Sequence, residues 1–77
     1  MMDYRELKTI TRSKARFTKG LVSLLKDDAD QIYDDVNGFE IFSLEESIQE
    51  AKRTAQQLVE ALTDMEYYIY LAKREDA

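Results

Sequence analysis

Asn37-Gly38 is the one strong break in this chain. There is no Pro, and the only other Gly is Gly20. Pro and Gly are the residues that most readily end a helix, so 77 residues nearly free of them favour a few long helices. A Gly just past a helix supplies the left-handed C-cap, which predicts a first helix over about 3–36. Ser43 with Glu46 three residues later reads as a capping box and predicts a second helix over about 44–75. The linker, NGFEIFS at 37–43, carries Phe39, Ile41 and Phe42, expected to plug the end of the pair. Helices of similar length joined by a short linker pack as antiparallel neighbours.

Apolar spacing supports both helices. In the second, Leu44, Ile48, Ala51, Ala55, Leu58, Leu62, Met65, Ile69 and Ala72 alternate steps of four and three, the seam spacing of a left-handed helix pair. In the first, Leu7, Ile10, Phe17, Leu21, Leu24, Leu25, Ile32 and Val36 stay on one side at about 100° per residue. This favours one continuous helix. Gly20, at a cost of about 1 kcal/mol relative to Ala, and Asp27 or Asp28 as an N-cap are the signals for the alternative, a third short helix. Lys14 falls inside the apolar arc, where it either snorkels to the edge or sets register as a polar seam residue.

The expected fold class is therefore all-α, an antiparallel two-helix hairpin forming one domain over 1–77. Apolar residues make up 44% of the chain, ordinary for a folded protein. A domain this small is marginal alone and usually needs a disulfide, a metal or a partner chain. With no Cys and no His, the partner chain is the staple left. Two hairpins packed stripe to stripe complete a four-helix bundle, so a homodimer or higher homo-oligomer is expected. No cofactor or metal is.

The stretch EYYIYLA, 66–72, bears on where copies meet. Met65, Ile69 and Ala72 continue the seam, but Tyr67, Tyr70 and Leu71 lie outside it. Tyr buries area while keeping a polar tip, and it is enriched at interfaces. These three are the expected self-association surface.

Charge is unevenly placed. Net charge is −5 overall, yet residues 1–20 sum to +4 and residues 21–50 to −8. Arg5, Lys8, Arg12, Arg16, Lys19 and Lys26 fall within about 80° on the first helix and form a candidate face for a partner. A basic start and an acidic end oppose the helix macrodipole, an arrangement that antiparallel pairing of two copies would offset. Two other readings compete with self-assembly: a small regulator docking this basic face on a larger protein, and a nucleic-acid binder. The acidic remainder and the lack of interleaved aromatics count against nucleic acid.

Chemistry is poorly supplied. The run DDADQIYDD, 27–35, lacks the Gly and the final Glu of a calcium-binding hand. Without His, Cys or a Gly-rich phosphate loop, no catalytic constellation is expected, and the chain reads as non-enzymatic. MMDYRELK has no apolar core of a leader peptide, and no apolar run approaches the ~20 residues that span a bilayer. A soluble, intracellular, cytoplasmic protein is expected.

The order LKTITRSKARFTKGLVSLL, a spacer, then QQLVEALTDMEYYI resembles the N-terminal part of Gag-like polyproteins of BEL/Pao retrotransposons. Those open with a basic helix holding a Lys/Arg-x-x-x-Thr-Lys/Arg-type core, followed by a Leu/Gln/Glu-rich helix. The matching residues are Leu7, Lys8, Arg12, Lys14, Thr18, Lys19, Leu58, Leu62 and Glu66. The resemblance covers most of the chain and implies a part in particle assembly. The zinc knuckle expected further along such a polyprotein does not occur within these 77 residues.

Overall fold

In a computed structural model describing residues 3–76, the chain is two long helices, α1 (Tyr4–Gly38) and α2 (Ile41–Asp76), folded back on each other. The pair forms a rod of 55 × 14 × 14 Å. The all-α hairpin expected from the spacing is present. Helix α1 runs unbroken through Gly20 and Asp27, so there is no third helix among the described residues. Asp3 caps α1, its carboxylate accepting from the Glu6 amide at 2.9 Å, which satisfies one of the donors a helix start leaves open.

The turn differs from expectation. It is only Phe39 and Glu40 long, because α2 starts before Ser43. The Glu40 carbonyl accepts from the Leu44 amide at 2.8 Å, so Ser43 lies inside the first turn and is not the cap. Nor does Gly38 take the left-handed conformation. Phe39 does, at φ 54° and ψ 42°. The Phe39 amide donates to the Val36 carbonyl at 3.2 Å and the Glu40 amide to the Asp35 carbonyl at 3.1 Å, the paired bonds of a Schellman ending. The expected apolar plug is also absent: Phe39 and Phe42 are 80% and 85% exposed, and Ile41 is exposed beside them.

The seam has a register of its own. Ser47 reaches Asp35, and Thr54 reaches Asp28 at 2.9 Å. The Lys14 ammonium sits 5.7 Å over the Tyr68 ring. The same alignment sets Leu21 level with Ala61, both buried. The second helix therefore turns Ser47, Thr54, Ala61 and Tyr68 inward, where the apolar pattern had placed Ile48, Ala55, Leu62 and Ile69. Ile48, Leu62 and Ile69 are 41–46% exposed. The physical reason lies on α1. Asp28, Asp35 and Lys14 face α2, and a polar group taken from water needs a partner. Hydroxyls and a Tyr ring supply one, and Ile or Leu cannot.

Among the described residues, the buried apolar side chains are Leu7, Leu21 and Ala61 alone. Such a core is thin for two helices of 35 and 36 residues. Most of the apolar surface lies outside the seam.

Candidate functional site

The chain carries two opposed faces, and each follows from the seven-residue repeat of the seam. Residues seven apart keep one position relative to a helix partner. Immediately after the seam residues of α1 come Ala15, Val22, Ala29 and Val36. Immediately after those of α2 come Ile48, Ala55, Leu62 and Ile69, with Ile41 one repeat earlier. In an antiparallel pair these two columns flank the same side. Ala15 of α1 and Ile69 of α2 accordingly line one groove, together with Lys8 and Lys73. The result is a first face that is apolar from Ile69 near one end to Ile41 at the tip. Val22 and Val36 are each 51% exposed on it.

The second face is built from the residues just before the seam. Helix α1 contributes Ile10, Phe17 and Leu24, and α2 contributes Glu50, Asp64 and Leu71. Gln31 of α1 lines a groove with Ser43 and Glu50 of α2 on this side. Here the apolar part runs from Ile10 and Leu71 near the open end to Leu24 at mid-length and stops short of the turn. Phe17 and Leu24 are 59% and 55% exposed.

Charge is sorted between the faces. The first carries Lys8 within it and is bordered on α1 by Arg5, Arg12, Lys19 and Lys26, four residues at seven-residue intervals. On α2 its border is Glu45, Lys52, Val59, Glu66 and Lys73. Among the described side chains, seven cations thus meet two carboxylates, Glu45 and Glu66. The second face reverses this. Asp3, Glu6, Asp27, Asp34, Glu46, Glu50, Glu60 and Asp64 lie in or beside it, against Arg53 and Arg74. A chain of net charge −5 therefore presents a basic apolar face and an acidic one on opposite sides.

Of the expected basic set, Arg5, Lys8, Arg12, Lys19 and Lys26 border the first face, and Arg16 points to the outer side of α1. The expected trio at the C-terminal end occupies adjoining positions on α2, on the side away from the first face. Leu71 is half-buried on the second face. Tyr67 borders that face and packs edge-on against Tyr68, with centroids 5.4 Å apart at 73°. Tyr70 lies on the outer side of α2, its ring 5.9 Å from the Arg74 guanidinium. Of the column Ala15, Val22, Ala29 and Val36, the apolar stripe includes only Val36, because Ala and Val are weak apolar signals one at a time. Their strict interval of seven is what would have revealed them.

Lys14 is a seam residue with a partner. Its ammonium lies 3.2 Å from Asp64 at the edge of the second face, in addition to its place over Tyr68. Asp35 is the most elaborated polar group. It accepts from Ser47 at 2.6 Å, Gln31 at 3.0 Å and Ser43 at 3.1 Å. These bonds, Ser47 first, hold its carboxyl below the usual carboxylate range against an opposing effect of burial. Asp28 and Asp35 of the acidic run thus face the seam, while Asp27, Asp30 and Asp34 face water. Among the described residues, no group of carboxylates is gathered to hold a metal ion, and no helix is long and apolar enough to cross a membrane.

The chain matches no known family model, no curated protein and no solved structure.

Proposed function

We propose that the chain is a non-enzymatic self-assembly module whose hairpins pack on further copies of themselves to close a multi-helix core. The observation that carries this reading is the first face. It is an apolar surface running most of the length of a hairpin that, among the described residues, buries only three apolar side chains of its own. Its apolar column follows most of a rod 55 Å long. A monomer rarely leaves so continuous an apolar surface in water. The resemblance to the assembly region of Gag-like polyproteins points the same way. The interface in this reading is carried chiefly by the column from Ile41 to Ile69, on the side of α2 away from Tyr67, Tyr70 and Leu71.

A second reading has its own support. The basic border of the first face suits docking on an acidic protein. It suits nucleic acid less, because the acidic second face opposes a polyanion at close range.

Association that stabilises the folded state makes the melting temperature rise with protein concentration. Thermal unfolding followed by circular dichroism across a hundredfold concentration range tests this. A steady rise supports self-assembly, and a melting temperature that does not move removes it.

A further inference from the structure

Resting on the self-assembly reading, we infer that copies join head-to-tail, the first face of one hairpin covering the second face of the next, so that assembly is open-ended rather than a closed dimer.

The inference comes from charge. In a closed two-fold dimer the same patch meets itself. Two first faces brought together would oppose seven cations to seven cations, with Glu45 and Glu66 as the carboxylates on each side among the described side chains. Two second faces would oppose eight carboxylates to eight, with Arg53, Arg74 and the Lys14 ammonium paired to Asp64 as the cations on each side. Either contact places like charges beside a desolvated apolar strip, where repulsion is strongest. The first face on the second does the reverse. Arg12, Lys19 and Lys26 then border the same strip as Glu46, Glu60 and Asp64.

Apolar surface gives a second, independent support. Ile10, Phe17, Leu24 and Leu71 form an apolar patch on the second face, away from the one on the first face. A closed dimer through either face leaves the other patch in water. An acidic protein or an anionic membrane on the first face also leaves Phe17 and Leu24 uncovered. A second copy is the occupant that covers both.

A contact that uses two different faces does not close unless its rotation happens to complete a ring, so it produces a ring or a filament. Each added hairpin buries one first face and one second face, leaving one of each free at the ends. The charge pattern also makes growth sensitive to ionic strength, since border pairs at the surface are screened within ~10 Å at 0.1 M salt.

Two face-blocked proteins test this. Val22→Glu with Leu62→Glu blocks the first face, and Phe17→Lys with Leu24→Lys blocks the second. All four positions are 45–59% exposed, and circular dichroism checks that the helices remain. By mass measurement, each double mutant alone should be a 9.0 kDa monomer. Mixed one to one, they should form a heterodimer and go no further, since each supplies the face the other has lost. A second pair, Arg12→Glu with Lys19→Glu and Glu46→Lys with Glu60→Lys, alters only exposed border charges. Each should weaken self-association on the order of tenfold or more, and mixing the two should restore it. If either face-blocked mutant still dimerises alone, the contact is the same-face type and head-to-tail packing is wrong. If the mixed mutants stay monomeric while the unmodified protein assembles, it is wrong as well. An unmodified protein that is itself a monomer defeats the underlying self-assembly reading instead.

Discussion

Ser47 donates a 2.6 Å hydrogen bond across the hairpin to Asp35, the carboxylate that lies deepest between the two helices. This pair fixes which side of α2 faces α1. Because Asp35 sits one turn before the end of α1, satisfying it from α2 requires Ser47 to point inward, and the seven-residue repeat then carries Thr54, Ala61 and Tyr68 inward behind it. Polar seam groups of this kind specify register while contributing little stability. Apolar residues that would have made a stronger hairpin are left on its flanks, available to another chain.

The same pair predicts acid sensitivity. The Asp35 carboxyl is held below its ordinary value, chiefly by Ser47, with Gln31 and Ser43 adding to it. A carboxylate with a lower pKa folded than unfolded contributes stability above the unfolded value and loses it as pH falls through the folded one. Melting temperature should therefore drop as pH falls below the ordinary carboxylate pKa of about 3.9. In Asp35→Asn and in Ser47→Ala the drop should be shallower, from a lower starting point at neutral pH. Thermal melts from pH 7 to pH 2 measure it. Parallel curves for the three proteins would mean that the bond does not favour the charged form.

Phe39 offers a gain in stability. It holds a left-handed backbone that costs an L-residue about 1–2 kcal/mol, and its ring, 80% exposed, recovers little of that by packing. Phe39→Gly should stabilise the hairpin by about 0.5–1 kcal/mol after the extra chain entropy of Gly is counted. Chemical denaturation would show the midpoint moving upward. A loss of stability would mean that the Phe39 ring makes a contact in solution, for which the tip of an adjoining hairpin is the nearest source.

The seam and the flank should respond differently to truncation. Leu21 is 4% exposed, and Leu21→Ala should cost about 2–5 kcal/mol, enough to unfold a marginal domain. Leu62 is 45% exposed, and Leu62→Ala should cost the isolated hairpin no more than about 1 kcal/mol. Its larger effect should appear in association, above about 1 kcal/mol, as for an interface anchor. Denaturation at the lowest usable concentration isolates the first quantity, and dissociation on dilution measures the second. Equal effects at all concentrations would return Leu62 to the core.

Much of the architecture was legible in the sequence. The lack of Pro and the single Asn-Gly dictated two long helices and a reversal, and the unbroken α1 followed from its stripe despite Gly20. Leu7, Leu21, Leu44, Ala51, Leu58, Met65 and Ala72 lie in the seam as their spacing implies, and the departure is in the alternate positions, with Phe17, Leu24 and Val36 of α1 exposed as well. Apolar spacing alone points Ile48, Leu62 and Ile69 into the seam, yet they are 41–46% exposed. The polar residues of α1 decided otherwise, because Asp28, Asp35 and Lys14 carry groups that must be satisfied across the pair. That coupling between helices is invisible when each is read alone. The turn failed for a related reason. Ser43 looks like a cap by type and spacing, but its hydroxyl is engaged by Asp35 at 3.1 Å. The basic border was legible as a stripe. Its place beside an apolar face was not, since that face needs both helices to exist.

Sedimentation equilibrium of the unmodified protein, run from low to tens of micromolar concentration at low and at high salt, tests the central claim most directly. Head-to-tail assembly gives a weight-average mass that climbs with concentration past twice the 9.0 kDa of one chain and falls back when salt screens the border charges. A mass fixed at 9.0 kDa under every condition would contradict it.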